Sequence, residues 1–175
     1  MKKSLRLSAL LGAKTWTLHP GTHGALSWVH LGEDWRVNAD NLRLLQRLGK
    51  QLDVEVTIEN ISAGYAVLGH VKDFLRLYRE WPGAPRMTLD VGHSHLKNET
   101  EQYLGELGGK ISHVHVHDNK RDFDTHLAVG SGTVNWKKFF GSLINAGYEE
   151  EVVVESVRGP LASHRRVQKL LRSLE

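Results

Sequence analysis

Residues 111–118 read Ile111-Ser112-His113-Val114-His115-Val116-His117-Asp118. Successive side chains of a β-strand point to opposite faces. Val114 and Val116 therefore share one face, and His113, His115 and His117 the other. Four further short runs rich in Val, Ile and Thr sort in the same way: Thr15–His19, Val54–Asn60, Arg86–Gly92 and Glu151–Ser156. One face of each is apolar: Trp16 and Leu18; Val54, Val56 and Ile58; Met87 and Leu89; Val152 and Val154. The other face ends, near the C-terminus of the run, in a side chain able to bind a metal. These residues are His19, Glu59, Asp90, His115 and Glu155.

Between the runs, apolar residues recur at helical spacing. Leu42, Leu45, Leu48 and Leu52 form one stripe, and Val71, Phe74, Leu75 and Tyr78 another. Tyr103, Leu104 and Leu107 form a weaker one, and Val167, Leu170, Leu171 and Leu174 a last one. Trp136, Phe139, Phe140 and Leu143 read as a helix opened by an Asn135 cap and closed at Gly147. Strand and helix in alternation predict right-handed crossovers and a parallel sheet, an α/β domain over residues 1–175. The longest irregular stretches run from Gly21 to Asn38 and from Asp118 to Val134, and loops of that length usually serve function. Trp28 and Trp35 in the first could line a pocket or simply pack.

Ligand sites of parallel α/β folds lie at the C-terminal ends of the strands. Three carboxylates gathered there without partners would each cost several kcal/mol, roughly. A divalent cation removes that cost, so the pattern implies its own cofactor. The chain has no cysteine, which leaves histidine and carboxylate as ligands and favours Zn, Mn, Co or Mg over soft metals. Net charge is +3 among scattered Lys and Arg, so charge gives no reason to expect nucleic acid as a partner. No stretch approaches the ~20 apolar residues of a membrane span. Met1-Lys2-Lys3 and the apolar residues after it have the outline of a signal peptide, but Arg6 interrupts them and they read better as a helix ending at Gly12. The expected location is the cytoplasm.

Weaker signals are His93, three residues after Asp90, and Asp124-Thr125-His126 in a loop. Both allow a further metal, a polar substrate or plain loop hydrogen bonding. His23, His30, His70, His95 and His164 are expected at the surface or in loops.

Taken in order, seven pieces of the chain resemble the xylose isomerase-like TIM-barrel superfamily, which includes sugar phosphate isomerases and epimerases and the endonuclease IV-type repair enzymes. They are His19-Pro20-Gly21, Ile58-Glu59-Asn60, Leu89-Asp90-Val91-Gly92-His93, His115-Val116-His117-Asp118-Asn119, Asp124-Thr125-His126-Leu127, the stretch from Gly130 to Trp136, and Val154-Glu155-Ser156. The resemblance implies a (β/α) TIM-barrel fold of which this chain matches the last five of eight strand-helix units. Such a piece leaves open strand edges, so a longer gene, a complementing chain or a homo-oligomer is expected.

The resemblance further implies a divalent metal held by Glu59, Asp90, His115 and Glu155. Glu59 and Glu155 would be the catalytic acid and base, moving protons through an enediolate of a small sugar or sugar phosphate. His93 and Arg121 would bind substrate, with His19, Asp124 and His126 as further substrate-binding positions. In the endonuclease branch, His19, His93, Asp124 and His126 would instead hold additional zinc for hydrolysis of abasic DNA. The short loop after Asp118 resembles the isomerase branch more closely, which places the repair enzyme second. An inactive barrel fragment that needs a partner is the third expectation.

Overall fold

The computed structural model describes residues 1–24, 32–62 and 66–174. The expectations for Trp28 and His30 fall outside these. Residues Met1–Met87 and Thr88–Glu175 form two compact units.

The first unit runs α1 (Lys2–Leu10), β1 (Thr15–Leu18), α2 (Glu33–Gln51), β2 (Glu55–Glu59) and α3 (Val71–Glu80). β1 and β2 pair in parallel, with Thr15 opposite Glu55 and Leu18 opposite Ile58. The stripe on α2 does what its spacing predicts: Leu45 is buried with Leu5, Val54 and Val56, and Ala9, Trp16, Leu18, Leu48 and Leu52 pack around them. Each large side chain so buried contributes about 1.5–3 kcal/mol. Trp35 belongs to α2 rather than to a long loop, because the helix begins at Glu33. Its indole donates to Glu80 at 2.8 Å, and the Arg76 guanidinium lies 4.2 Å from its ring centroid. It therefore ties α2 to α3.

The second unit holds β3 (Met87–Asp90, entered from the first unit), α4 (Val91–Leu96), α5 (Thr100–Leu107), β4 (Ile111–Val116), α6 (Trp136–Asn145), β5 (Val152–Val154) and α7 (Pro160–Arg172). Its sheet order is β3-β4-β5. β4 and β5 are parallel, with His115 opposite Val153. α6 buries Trp136, Phe139, Phe140 and Leu143 and is capped as expected, Lys138 N–H donating to Asn135 Oδ1 at 3.1 Å. α4 is the element that strand parity does not foresee. The run Arg86–Gly92 is strand only as far as Asp90, which turns the chain and caps α4 by accepting from His93 N–H at 2.7 Å.

The alternation of strand and helix, with parallel pairing in both units, is the α/β pattern of a TIM-barrel. No helix among the described residues is long and apolar enough to cross a membrane.

Candidate metal and substrate site

Three of the strand-end groups expected to bind metal belong to the second unit. Asp90 ends β3 and is fully buried, His115 lies on β4, and Glu155 follows β5. Each places one ligand atom within 4.8 Å of the others. Glu155 Oε1 lies 3.2 Å from His115 Nδ1. The backbone sets this arrangement: Glu155 N–H donates to Val116 O at 3.0 Å, continuing the parallel ladder one residue past β5. In the first unit, Glu59 ends β2 with 2% exposure, and its Oε2 is 3.2 Å from Nε2 of the exposed His19.

A second group gathers His93, His117, Asp124 and His126, whose ligand atoms also lie within 4.8 Å of one another. Asp124 Oδ2 meets His93 Nε2 at 2.9 Å, and Asp124 Oδ1 lies 3.6 Å from His117 Nε2 and 3.5 Å from His126 Nε2. The His117 and His126 rings stack with centroids 3.7 Å apart. His126 Nδ1 lies 3.0 Å from the carbonyl oxygen of Glu155. A carbonyl only accepts, so this bond puts a ring hydrogen on Nδ1, and Nε2 is the atom turned toward Asp124. A neutral ring with its hydrogen on Nδ1 offers Nε2 to a metal.

Charge in this group is strongly coupled. Burial by itself would raise the Asp124 pKa, but the bond to His93 and the fields of His93, His117 and His126 hold it at about 2. Burial disfavours a charged His117, yet Asp90, 3.1 Å from its Nε2, and Asp124 outweigh burial and raise its pKa.

Two features that strand parity cannot supply place these groups. Gly92 leaves room for the His117 ring, since a Cβ there would fall 2.0 Å from His117 Cε1. Asp118, fully buried, anchors both ends of the following loop. Its Oδ1 accepts from Asn119 N–H at 3.0 Å and Val134 N–H at 3.2 Å, and its Oδ2 from Gly130 N–H and the Trp136 indole, both at 2.8 Å. Gly132 packs against this clamp, where a Cβ would come within 2.3 Å of Asp118 Oδ1.

One expectation changes here. His95 is not a surface residue: it lies on α4 with 5% exposure, its Nε2 2.8 Å from Thr133 Oγ1. Burial, and then the Arg121 charge, lower its pKa. His117 carries no role in the sequence reading, although it shares its strand face with His115, and that parity is the signal that could have found it. Of the substrate-binding expectations, His93, Asp124 and His126 come together, His19 stands beside Glu59, and Arg121 lines a crevice with His95.

The chain matches the xylose isomerase-like TIM barrel family model over residues 1–175. It belongs to that family. Fructoselysine 3-epimerase of Escherichia coli O157:H7 is 26% identical over 127 residues, which cover 70% of this chain and 46% of the relative. Among solved structures, a D-tagatose 3-epimerase-like protein superposes with a TM-score of 0.87 at 23% identity, covering 99% of this chain and 67% of that one. An IolI protein with a bound zinc atom gives a TM-score of 0.76 at 17% identity, over 99% and 66%. These superpositions bear on the fold alone. The chain spans 38% to 52% of the length of the curated relatives it matches.

Proposed function

We propose that this chain carries the active-site half of a metal-dependent isomerase or epimerase of a small sugar or sugar phosphate. The observation that carries the reading is the convergence of Asp90, His115 and Glu155 at strand ends in a chain of this family. Glu59, at the end of β2, is the fourth proposed ligand. The donor set suits a divalent ion. It is nitrogen and oxygen only, and it brings two carboxylates to one imidazole where, without a cation, like charges would oppose each other. A cation held there supplies Lewis acidity toward adjacent substrate oxygens. Glu155 or Glu59 removes the proton alpha to the substrate carbonyl, and the other glutamate returns one. His93, Asp124 and His126 with His19 orient hydroxyl groups, and Arg121 is the cationic contact. The names of the epimerase relatives favour a ketose-type substrate.

Replacing Glu155 by Gln tests the assignment. The variant is expected to keep its fold by circular dichroism and to lose about 100- to 10,000-fold in turnover. Full activity in it would refute the role. Metal is tested separately: zinc or manganese at ~100 times its dissociation constant should raise unfolding free energy by about 2.7 kcal/mol, and Asp90→Asn should abolish that rise.

The second histidine-rich group supports one other reading, a zinc-dependent phosphodiester hydrolase of the endonuclease type. Metal analysis separates the two. A single exchangeable cation per chain supports the isomerase, and several tightly held zinc ions the hydrolase.

A further inference from the structure

Beside α4 lies a crevice of about 260 Å³ lined by residues of α4, α5, the loop after β4 and the start of α6. The mechanism above makes no use of most of its side chains. Two cations line it, Arg121 and Lys138, against one carboxylate, Glu101. Arg121 forms no ion pair among the described residues. Its base is nonetheless fixed: it sits in the left-handed region at φ 63°, and its N–H donates at 3.0 Å to the side chain of Asn119, which is itself buried and donates to Gly92 O at 2.8 Å. Lys138 Nζ lies 3.2 Å from Glu101, and both side chains are more than half exposed. An exposed pair of this kind contributes little, so Lys138 is readily given up to a better anion.

His95 forms the buried wall. The Thr133 hydroxyl lies 3.3 Å from Asn119 O, to which it can only donate. His95 Nε2 therefore donates to Thr133 Oγ1, which leaves Nδ1 as an acceptor for a ligand hydroxyl. Asn98 and Asn135 add side-chain amides. The first turn of α6 adds the positive end of a ten-residue helix. The volume is below the ~300 Å³ of a pocket that encloses a whole ligand, which suits a single charged terminus.

We propose that this crevice is a phosphate-binding subsite in which Arg121 and Lys138 meet the anion, with Lys138 exchanging Glu101 for it. The phosphate is either the terminus of a sugar phosphate or free phosphate. The subsite stands on the crevice alone, and only its assignment to the substrate rests on the isomerase reading.

The test is calorimetric titration of the full chain with inorganic phosphate after chelation, so that no metal–phosphate bond contributes. The wild type should bind saturably. Lys138→Gln and Arg121→Gln should each weaken binding about tenfold or more. Glu101→Gln removes the competing carboxylate and should tighten binding, a gain that damage to the fold would not produce. Glu155→Gln should bind phosphate as the wild type does, which separates failure of this subsite from failure of the isomerase reading. A flat isotherm to about 10 mM phosphate, or unchanged affinity in both cation variants, would overturn the proposal. Fructose 6-phosphate and fructose distinguish the sources. Binding of the phosphate ester more tightly than inorganic phosphate, with Lys138→Gln affecting the ester and not fructose, identifies the substrate's own phosphate. An ester that binds no better than inorganic phosphate identifies a site for the free anion.

Discussion

The strand ends and the loop from Asp118 to Val134 both present metal-capable groups, but they hold them by different physics. Asp90 and His115 are placed by β3 and β4, and Glu155 by the ladder that extends past β5. The backbone pairing that sets them would survive loss of any one side chain. Asp124 and His126 sit in a loop whose backbone is tied by one bridge, Asp118 to Leu127, and by Val157 N–H donating to His126 O at 3.1 Å. The ends of that loop are drawn together by a single buried carboxylate that accepts from four N–H groups, and by glycines that let the chain close on it. Strand ligands are therefore robust in position and open to change in charge, whereas loop ligands lean on Asp118 and on side-chain contacts.

The sharpest way to break this contrast is Asp118→Asn. The amide keeps the shape but turns an N–H toward donors that need an acceptor. It should cost about 3 kcal/mol or more of unfolding free energy in urea, and it should disorder the loop while β4 and β5 keep their amide protection in hydrogen exchange. Equal loss of protection in both regions would show that the loop is not separately held.

Next in size is Gly92→Ala. The added methyl collides with His117, and overpacking of this kind typically costs about 1–3 kcal/mol. The His117 imidazole resonances should shift more than those of His115.

Asp124→Asn should matter less and depend on pH. Burial opposes it, but His93 and the neighbouring imidazoles hold the folded carboxyl at about 2 against 3.8 for a free aspartate, so the stabilisation is complete above about pH 4 and lost as pH falls through 2. The side chain is 31% exposed, and solvent screening reduces the expected contribution to about 1 kcal/mol. The wild type and Asp124→Asn should differ in thermal stability at pH 6 and converge toward pH 2. A constant difference across that range would mean that the charge is not what holds the residue.

The smallest effect is expected at a strand end. Glu155→Gln in metal-free protein should change stability by no more than about 0.5 kcal/mol, because it removes one of two neighbouring carboxylates and no backbone bond. A large loss would show that Glu155 holds structure as well as chemistry.

By itself, the sequence determined which residues face the same way on each strand. Side-chain alternation has a period of two whatever the surroundings, so His19, Glu59, Asp90, His115 and Glu155 could be picked out from spacing, and the α6 cap from its Asn135. Only the tertiary structure decided that Asp90 ends β3 by capping a short helix, that His95 on that helix is buried against Thr133, and that His117 joins Asp124 and His126 rather than His115. The Asp90 cap is a local contact with His93 that strand periodicity hides, and the other outcomes depend on contacts between residues far apart in the chain. The ring of His117 packs on Gly92, and Asp118 reaches Gly130, Val134 and Trp136, partnerships that local periodicity does not encode.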